Sequence, residues 1–158
     1  PTVHPFRPLV FSRHGSDLSA VVAPPYDVLD LPGKARLLAT HPDNIVGIDL
    51  PHVPAKELGP PEVYKAAGQH FAHAIASGTL TRRHAPALFA YRQTFQFQGT
   101  THQRCGMFCT LDVHPFGPRP GGGILPHEET FSGPKQDRLA LMHATHAQLS
   151  PIFGLHAD

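Results

Sequence analysis

The sequence predicts an α+β protein: a mostly antiparallel sheet centred on a long hairpin, about residues 87–113, with about three helices packed on one side. Two observations lead there. Residues 87–97 and 101–113 alternate apolar and polar side chains on either side of Gln98-Gly99, the pattern of two paired strands around a tight turn. Residues 61–77 instead place Val63, Ala67, His70, Phe71, Ala74 and Ile75 on one helical face, with Gly78 as terminator.

The remaining elements follow in chain order. Pro5 and Pro8 make residues 2–9 extended, because each proline also restricts its predecessor. Arg7 is a ligand contact or a tie fixing the terminal segment to a carboxylate. Residues 13–17 read as a turn and residues 18–23 as a short strand entering Pro24-Pro25-Tyr26-Asp27. In that stiff loop Tyr26 and Asp27 form the rim of a site, or cap and pack over the next turn. Asp30 with Pro32 starts a helix whose Leu37 and Leu38 face inward, ending at His41-Pro42. Ile45 to Leu50, short and rich in β-branched residues, reads as a buried strand followed by a proline-rich loop.

In the hairpin, Phe89, Tyr91, Phe95 and Phe97 share one face of the first strand, and Cys105, Met107, Cys109 and Leu111 one face of the second. The two cysteines, four apart, exclude a disulfide framework and a four-cysteine metal site, and are expected as small core residues. Arg92 stands on the opposite face, toward a binding side or in a cross-strand ion pair. Residues 135–148 form the last helix, with Leu139, Met142, His146 and Leu149 toward the core. Residues 149–155 are extended around Pro151.

The 158 residues fit one domain. A charged content of 16% with 18 prolines and 14 glycines describes a loop-rich fold. The net charge of +1 lacks the basic excess that nucleic-acid binding demands. With no apolar run approaching ~20 residues and no leader pattern, the expected compartment is the cytoplasm, with no membrane partner. Starting at Pro1 without methionine, the chain fits a fragment or a processed form. Thirteen histidines are many. The pairs His70/His73 and His143/His146 have ligand-like spacing but no third ligand nearby, so no metal site is expected.

Chemistry-bearing residues crowd into residues 121–138, a loop leading into a helix. Gly121 to Gly123 permit close backbone approach, Pro134 suits a first helical turn, and Lys135 and Arg138 are neighbours on one helix face. Free N–H groups beside two cations make an anion seat. Thr130 can donate to the anion, and His127 and Glu128 can act as a general acid/base pair or hold Mg²⁺ through the carboxylate. Asp137 lies about 200° around the helix from Lys135, so it cannot join them at one ligand. Other chemistries fail on residue count. Phe131 stands where a zinc-protease pattern needs its second histidine, and no nucleophile elbow, Walker loop or dinucleotide-binding glycine motif occurs.

Several ordered motifs also resemble a known family. Leu125-Pro126-His127-Glu128-Glu129-Thr130, Gly133-Pro134-Lys135, Asp137-Arg138-Leu139 and Leu149-Ser150-Pro151-Ile152-Phe153-Gly154-Leu155 are similar to the N-terminal half of the DUF1015 proteins, prokaryotic proteins of unknown function. So are Pro5-Phe6-Arg7-Pro8, Ala23-Pro24-Pro25-Tyr26-Asp27-Val28-Leu29 and Tyr91-Arg92-Gln93-Thr94. The likeness covers nearly the whole chain. It implies a longer parent whose second half carries an Asp-Gly-His-His-Arg stretch, similar to phosphate-handling motifs of ParB-like, sulfiredoxin-like and free-serine kinase proteins. That stretch has no counterpart here.

Two functions are therefore expected. One is binding of a phosphate-bearing small-molecule anion, with Mg²⁺ and a nucleotide as the implied cofactors and a phosphotransferase or phosphatase as the implied enzyme. Its residues are His127, Glu128, Thr130, Lys135, Arg138 and Arg92, with Tyr26 and Asp27 at the rim. The alternative is a non-catalytic structural or interaction half-domain in which residues 127–138 form a buried polar network.

Overall fold

The computed structural model describes residues 2–12, 17–120 and 122–156. The expected turn at 13–17 falls, apart from Asp17, outside the described residues, as does Gly121. The elements in order are β1 (Val3–His4), β2 (Leu9–Phe11), a 3₁₀ turn (Tyr26–Val28), α1 (Leu31–Thr40), α2 (Val46–Asp49), α3 (Pro61–Ala76), β3 (Leu80–Arg82), β4 (Phe89–Phe97), β5 (Thr100–Phe108), β6 (Thr110–Leu111) and α4 (Ser132–Thr145). Among the described residues this is an α+β fold with antiparallel strands and four α-helices. Three two-stranded ladders, β1–β6, β2–β3 and β4–β5, stand in place of one sheet.

The chain divides into two compact units, one built from residues 1–10 and 82–129, the other from 11–81 and 130–158. In the first, β4 and β5 pair without a break from Phe89↔Phe108 to Phe97↔Thr100. Gln98 and Gly99 turn the chain with φ of 50° and 75°, the type I′ geometry that matches strand twist. The base of this hairpin is held by the N-terminal segment: Phe6 bridges Ala87 and its ring meets Phe89 edge-on at 5.4 Å. Arg7 donates through Nε to the carbonyl of Arg83 at 2.8 Å, so its tie is to backbone and not to the expected carboxylate.

The second unit holds the helices. α1 starts where expected, with the Asp30 carboxylate accepting from Gly33 N–H at 2.7 Å. The expected strand at 45–50 is instead the short helix α2, and residues 18–23 are a turn and an irregular segment, not a strand. Buried Asn44 explains both. Its amide donates to the carbonyls of Ala20 and Val22 and its Oδ1 accepts from Val46 N–H, so one side chain makes an Asx turn leading into α2 while fixing the earlier segment. Val46, Leu50 and Ala55 form a core joined by Leu37, Leu38 and Tyr26.

A second core joins α3 and α4 through Tyr64, Ala67 and Leu141. The buried stripe of α4 is Asp137, Leu141 and Thr145, while Leu139 and Met142 are exposed and His146 is the exposed left-handed residue ending the helix. That corrects the inward face expected from apolar residues alone. Asp137 turns inward because it has partners there, and the helix rotates with it. In α3, likewise, His70 and Ile75 are exposed and Tyr64, Ala67 and Phe71 are buried. The expected core positions of the cysteines also fail: Cys105 is exposed and Cys109 half-buried, because a two-stranded ladder has no second layer over that face.

Candidate functional site

The polar centre of the helical unit is built around Arg138 in the second turn of α4. Its helix enters against the loop after α2. A Cβ on Gly133 would lie 2.4 Å from the Lys56 carbonyl oxygen, so only glycine admits that approach. The next turn then points Asp137 inward, where it is 1% exposed. Its Oδ1 accepts from the Tyr64 hydroxyl at 2.7 Å, and that hydroxyl accepts from Gly59 N–H at 2.8 Å. Its Oδ2 accepts from Arg138 Nε and Nη2 at 2.8 and 2.6 Å.

The third nitrogen of Arg138, Nη1, donates to the carbonyl and to Oδ1 of Asp49 at 2.8 and 3.1 Å. The flat face of the guanidinium lies 3.9 Å from the centre of the Tyr26 ring. Planar, delocalised and bidentate, arginine fits such a seat as lysine cannot. Asp49 Oδ1 also accepts from the Ser150 hydroxyl at 3.3 Å, which ties the chain beyond α4 to the same point. Lys34 closes the end of α2 by donating to the carbonyls of Leu50 and Pro51.

Electrostatics follow from this burial. Desolvation pushes the Asp49 carboxyl upward, opposed by the Arg138 charge and the Ser150 hydrogen bond. Burial, and then donation to Asp137, push the Tyr64 hydroxyl up to about 12. Burial likewise raises Tyr26 against the opposing Arg138 charge and lowers Lys34. The two carboxylates and the guanidinium are engaged with one another.

Of the residues expected at a site, Arg138 and Tyr26 meet. Asp27 is exposed beside Tyr26, in the first turn of the 3₁₀ element. Thr130 and Lys135 are exposed, so Lys135 and Arg138, three apart, part company: one faces solvent and the other is drawn inward. In the other unit His127 and Glu128 approach each other at 3.4 Å with side chains 85% and 68% exposed, and exposed Arg92 sits opposite Cys105 in the hairpin. Among the described residues no group of three or more His, Cys, Asp or Glu side chains could hold a metal ion. Mg²⁺ held through a single carboxylate completes its octahedron with waters and ligand phosphates.

Tyr64, Asp49 and Ser150 escaped the sequence reading. The first had a signal, since Tyr64, Ala67 and Phe71 share a helical stripe. Asp49 had none once residues 45–50 read as a strand.

Fold and site together define an α+β protein whose helical unit is bound by a buried ionic network. The chain belongs to the DUF1015 family, described as a protein of unknown function, whose model matches residues 3–158. No curated protein and no solved structure matches it. No helix among the described residues is long and apolar enough to cross a membrane.

Proposed function

We propose that this chain is a non-catalytic interaction half-domain whose 131–138 stretch secures α4 within the helical unit. One observation carries the reading: every nitrogen of the Arg138 guanidinium is engaged by Asp137 or Asp49, and its face by Tyr26. Large apolar side chains left in solvent in each unit support the interaction role, among them Val113 and Phe116 in one and Phe131 and Ile152 in the other. We place it in the cytoplasm, where reducing conditions keep the exposed Cys105 thiol free.

The test is a Lys135→Ala/Arg138→Ala variant, melted with and without ATP, ADP, pyrophosphate, phosphoserine and serine, each with and without Mg²⁺. A half-domain gives a lowered melting temperature and no ligand-dependent shift in either protein. A shift with one phosphate compound in the parent, lost in a variant that melts normally, overturns the proposal.

That second result is the signature of the other reading, a protein binding a phosphate-bearing small molecule and related to small-molecule kinases or phosphatases. It is favoured by the first turn of α4, where Phe131 supplies no side-chain cap and exposed Lys135 stands beside the uncapped N–H groups.

A further inference from the structure

We propose that the groove between α3 and α4 takes an amphipathic helix of a partner protein, with apolar residues along one stripe of that helix and carboxylates beside it. This rests on the interaction half-domain reading and names the partner's chemistry.

Residue size builds the groove. Gly68 and Ala72 on α3 meet Ala140 and Ala144 on α4 along a hollow of about 790 Å³. A Cβ on Gly68 would lie 2.5 Å from the Ala144 carbonyl oxygen, so the two helices approach almost to backbone contact. None of the four side chains is long enough to cover the seam. Ala72 is exposed, and Leu58, which lines the hollow beside the start of α3, is 52% exposed.

The backbone of the walls selects a helix as occupant. Along residues 65–72 and at Ala140 the N–H and C=O groups are spent inside α3 and α4, so an extended segment lying there would find no main-chain partners for its own polar groups. A helix arrives with its backbone already paired, and its larger apolar side chains seat over the small residues of the floor.

Charge selects the flank of that helix. The lining holds one cation, Lys65, and no carboxylate, with His143 on the opposite wall. Lys65 is exposed and, among the described residues, makes no ion pair, not even with Glu62 one turn earlier. Carboxylates beside the partner's apolar stripe complement this rim. A second copy of the chain does not: the exposed apolar residues of its α4, Leu139 and Met142, share a helix face with Lys135 and His146, which would set lysine against lysine.

The probe is a fluorescein-labelled peptide of three Leu-Ala-Glu-Leu-Glu-Ala-Glu heptads, titrated by anisotropy against the full chain. One control replaces every glutamate by lysine; the other places a proline in the middle of each heptad, which forbids the helix. Ala72→Arg fills the hollow while adding a positive charge, and Lys65→Glu reverses the rim; both sites are exposed, where substitution leaves the fold intact. The expected result is at least fivefold tighter binding of the glutamate peptide than of either control, a tenfold loss in Ala72→Arg, and preference for the lysine peptide in Lys65→Glu, all at the parent's melting temperature. Binding that survives in Ala72→Arg overturns the proposal, because charge alone then holds the peptide. So do equal affinities for the glutamate peptide and either control, or no binding up to about 1 mM. A dimer of the parent chain, seen by light scattering, that Ala72→Arg converts to monomer also overturns it, since a second copy would then fill the groove. Failure of the underlying reading is distinguishable, because it shows as a phosphate-dependent melting shift whatever the peptides do.

Discussion

Arg138→Met tests the buried network directly, because methionine keeps the aliphatic stem and removes the charge, its donors and the guanidinium face over Tyr26. Asp137, 1% exposed, then keeps the Tyr64 hydroxyl but loses two charge-assisted bonds of 2.8 and 2.6 Å. Breaking a buried ion pair by removing one partner costs about 3–5 kcal/mol. The surviving tyrosine bond and the 17% exposure of the Arg138 side chain place this case near about 3 kcal/mol. For a chain of this size that corresponds to a fall of roughly 6–12 °C in melting temperature. Asp137→Asn retains an acceptor for Tyr64 and costs about 1–2 kcal/mol. The double variant removes the Asp137 carboxylate together with its cation and leaves only Asp49 without Arg138, so it is more stable than additivity predicts, by about 1–2 kcal/mol. Urea unfolding of the four proteins measures the cycle. A cost below about 1 kcal/mol for Arg138→Met, or an additive cycle, refutes the structural role of the pair.

Two further outcomes bear on the same unit. Gly68→Ala places a Cβ 2.5 Å from the Ala144 carbonyl oxygen, a backbone atom that cannot rotate away. Overpacking of about 1–3 kcal/mol therefore outweighs the roughly 1 kcal/mol gained in helix propensity, and urea midpoints should show net destabilisation; a stabilised variant means that α3 and α4 are not in this contact. Tyr64→Phe leaves Gly59 N–H and Asp137 Oδ1 each without a partner and costs about 1–2 kcal/mol at neutral pH. Because the Tyr64 hydroxyl titrates at about 12 in the folded protein, against 10.0 ordinarily, its contribution is complete below pH 10 and is lost as pH rises toward 12. The stability gap between parent and variant should narrow across that window, and a constant gap contradicts the buried donation to Asp137.

Local pattern carried the fold where structure is local. The β4–β5 hairpin follows from alternation around Gln98-Gly99, and the start of α1 from Asp30 and Pro32. Residues 45–50 misled because a short apolar run has the same composition in a buried strand and in a buried helical turn. What decides is Asn44, two of whose three bonds reach back to the carbonyls of Ala20 and Val22 while the third takes Val46 N–H, a relation no window over the sequence contains. The inward face of α4 misled for a related reason: an apolar stripe is a sound guide only while buried polar residues are absent, and Asp137 is the residue that turns this helix.

The candidate site was legible as composition and illegible as geometry. Glycine, proline, lysine and arginine at a helix start describe an anion seat equally well whether the arginine faces solvent or is drawn inside. The difference lies in carboxylates that approach from elsewhere. One is its own neighbour, Asp137, which helix geometry had set aside as pointing away from Lys135; the other, Asp49, is 89 residues distant in the chain. Once both are in place, every nitrogen of the guanidinium is engaged by Asp137 or Asp49. The cation left to an anion at this helix start is Lys135, exposed and supported by N–H groups of the first turn, a weak and salt-screened attraction. The proposed role of the 131–138 stretch, cohesion of the helical unit, rests on this engagement of Arg138 by Asp137 and Asp49.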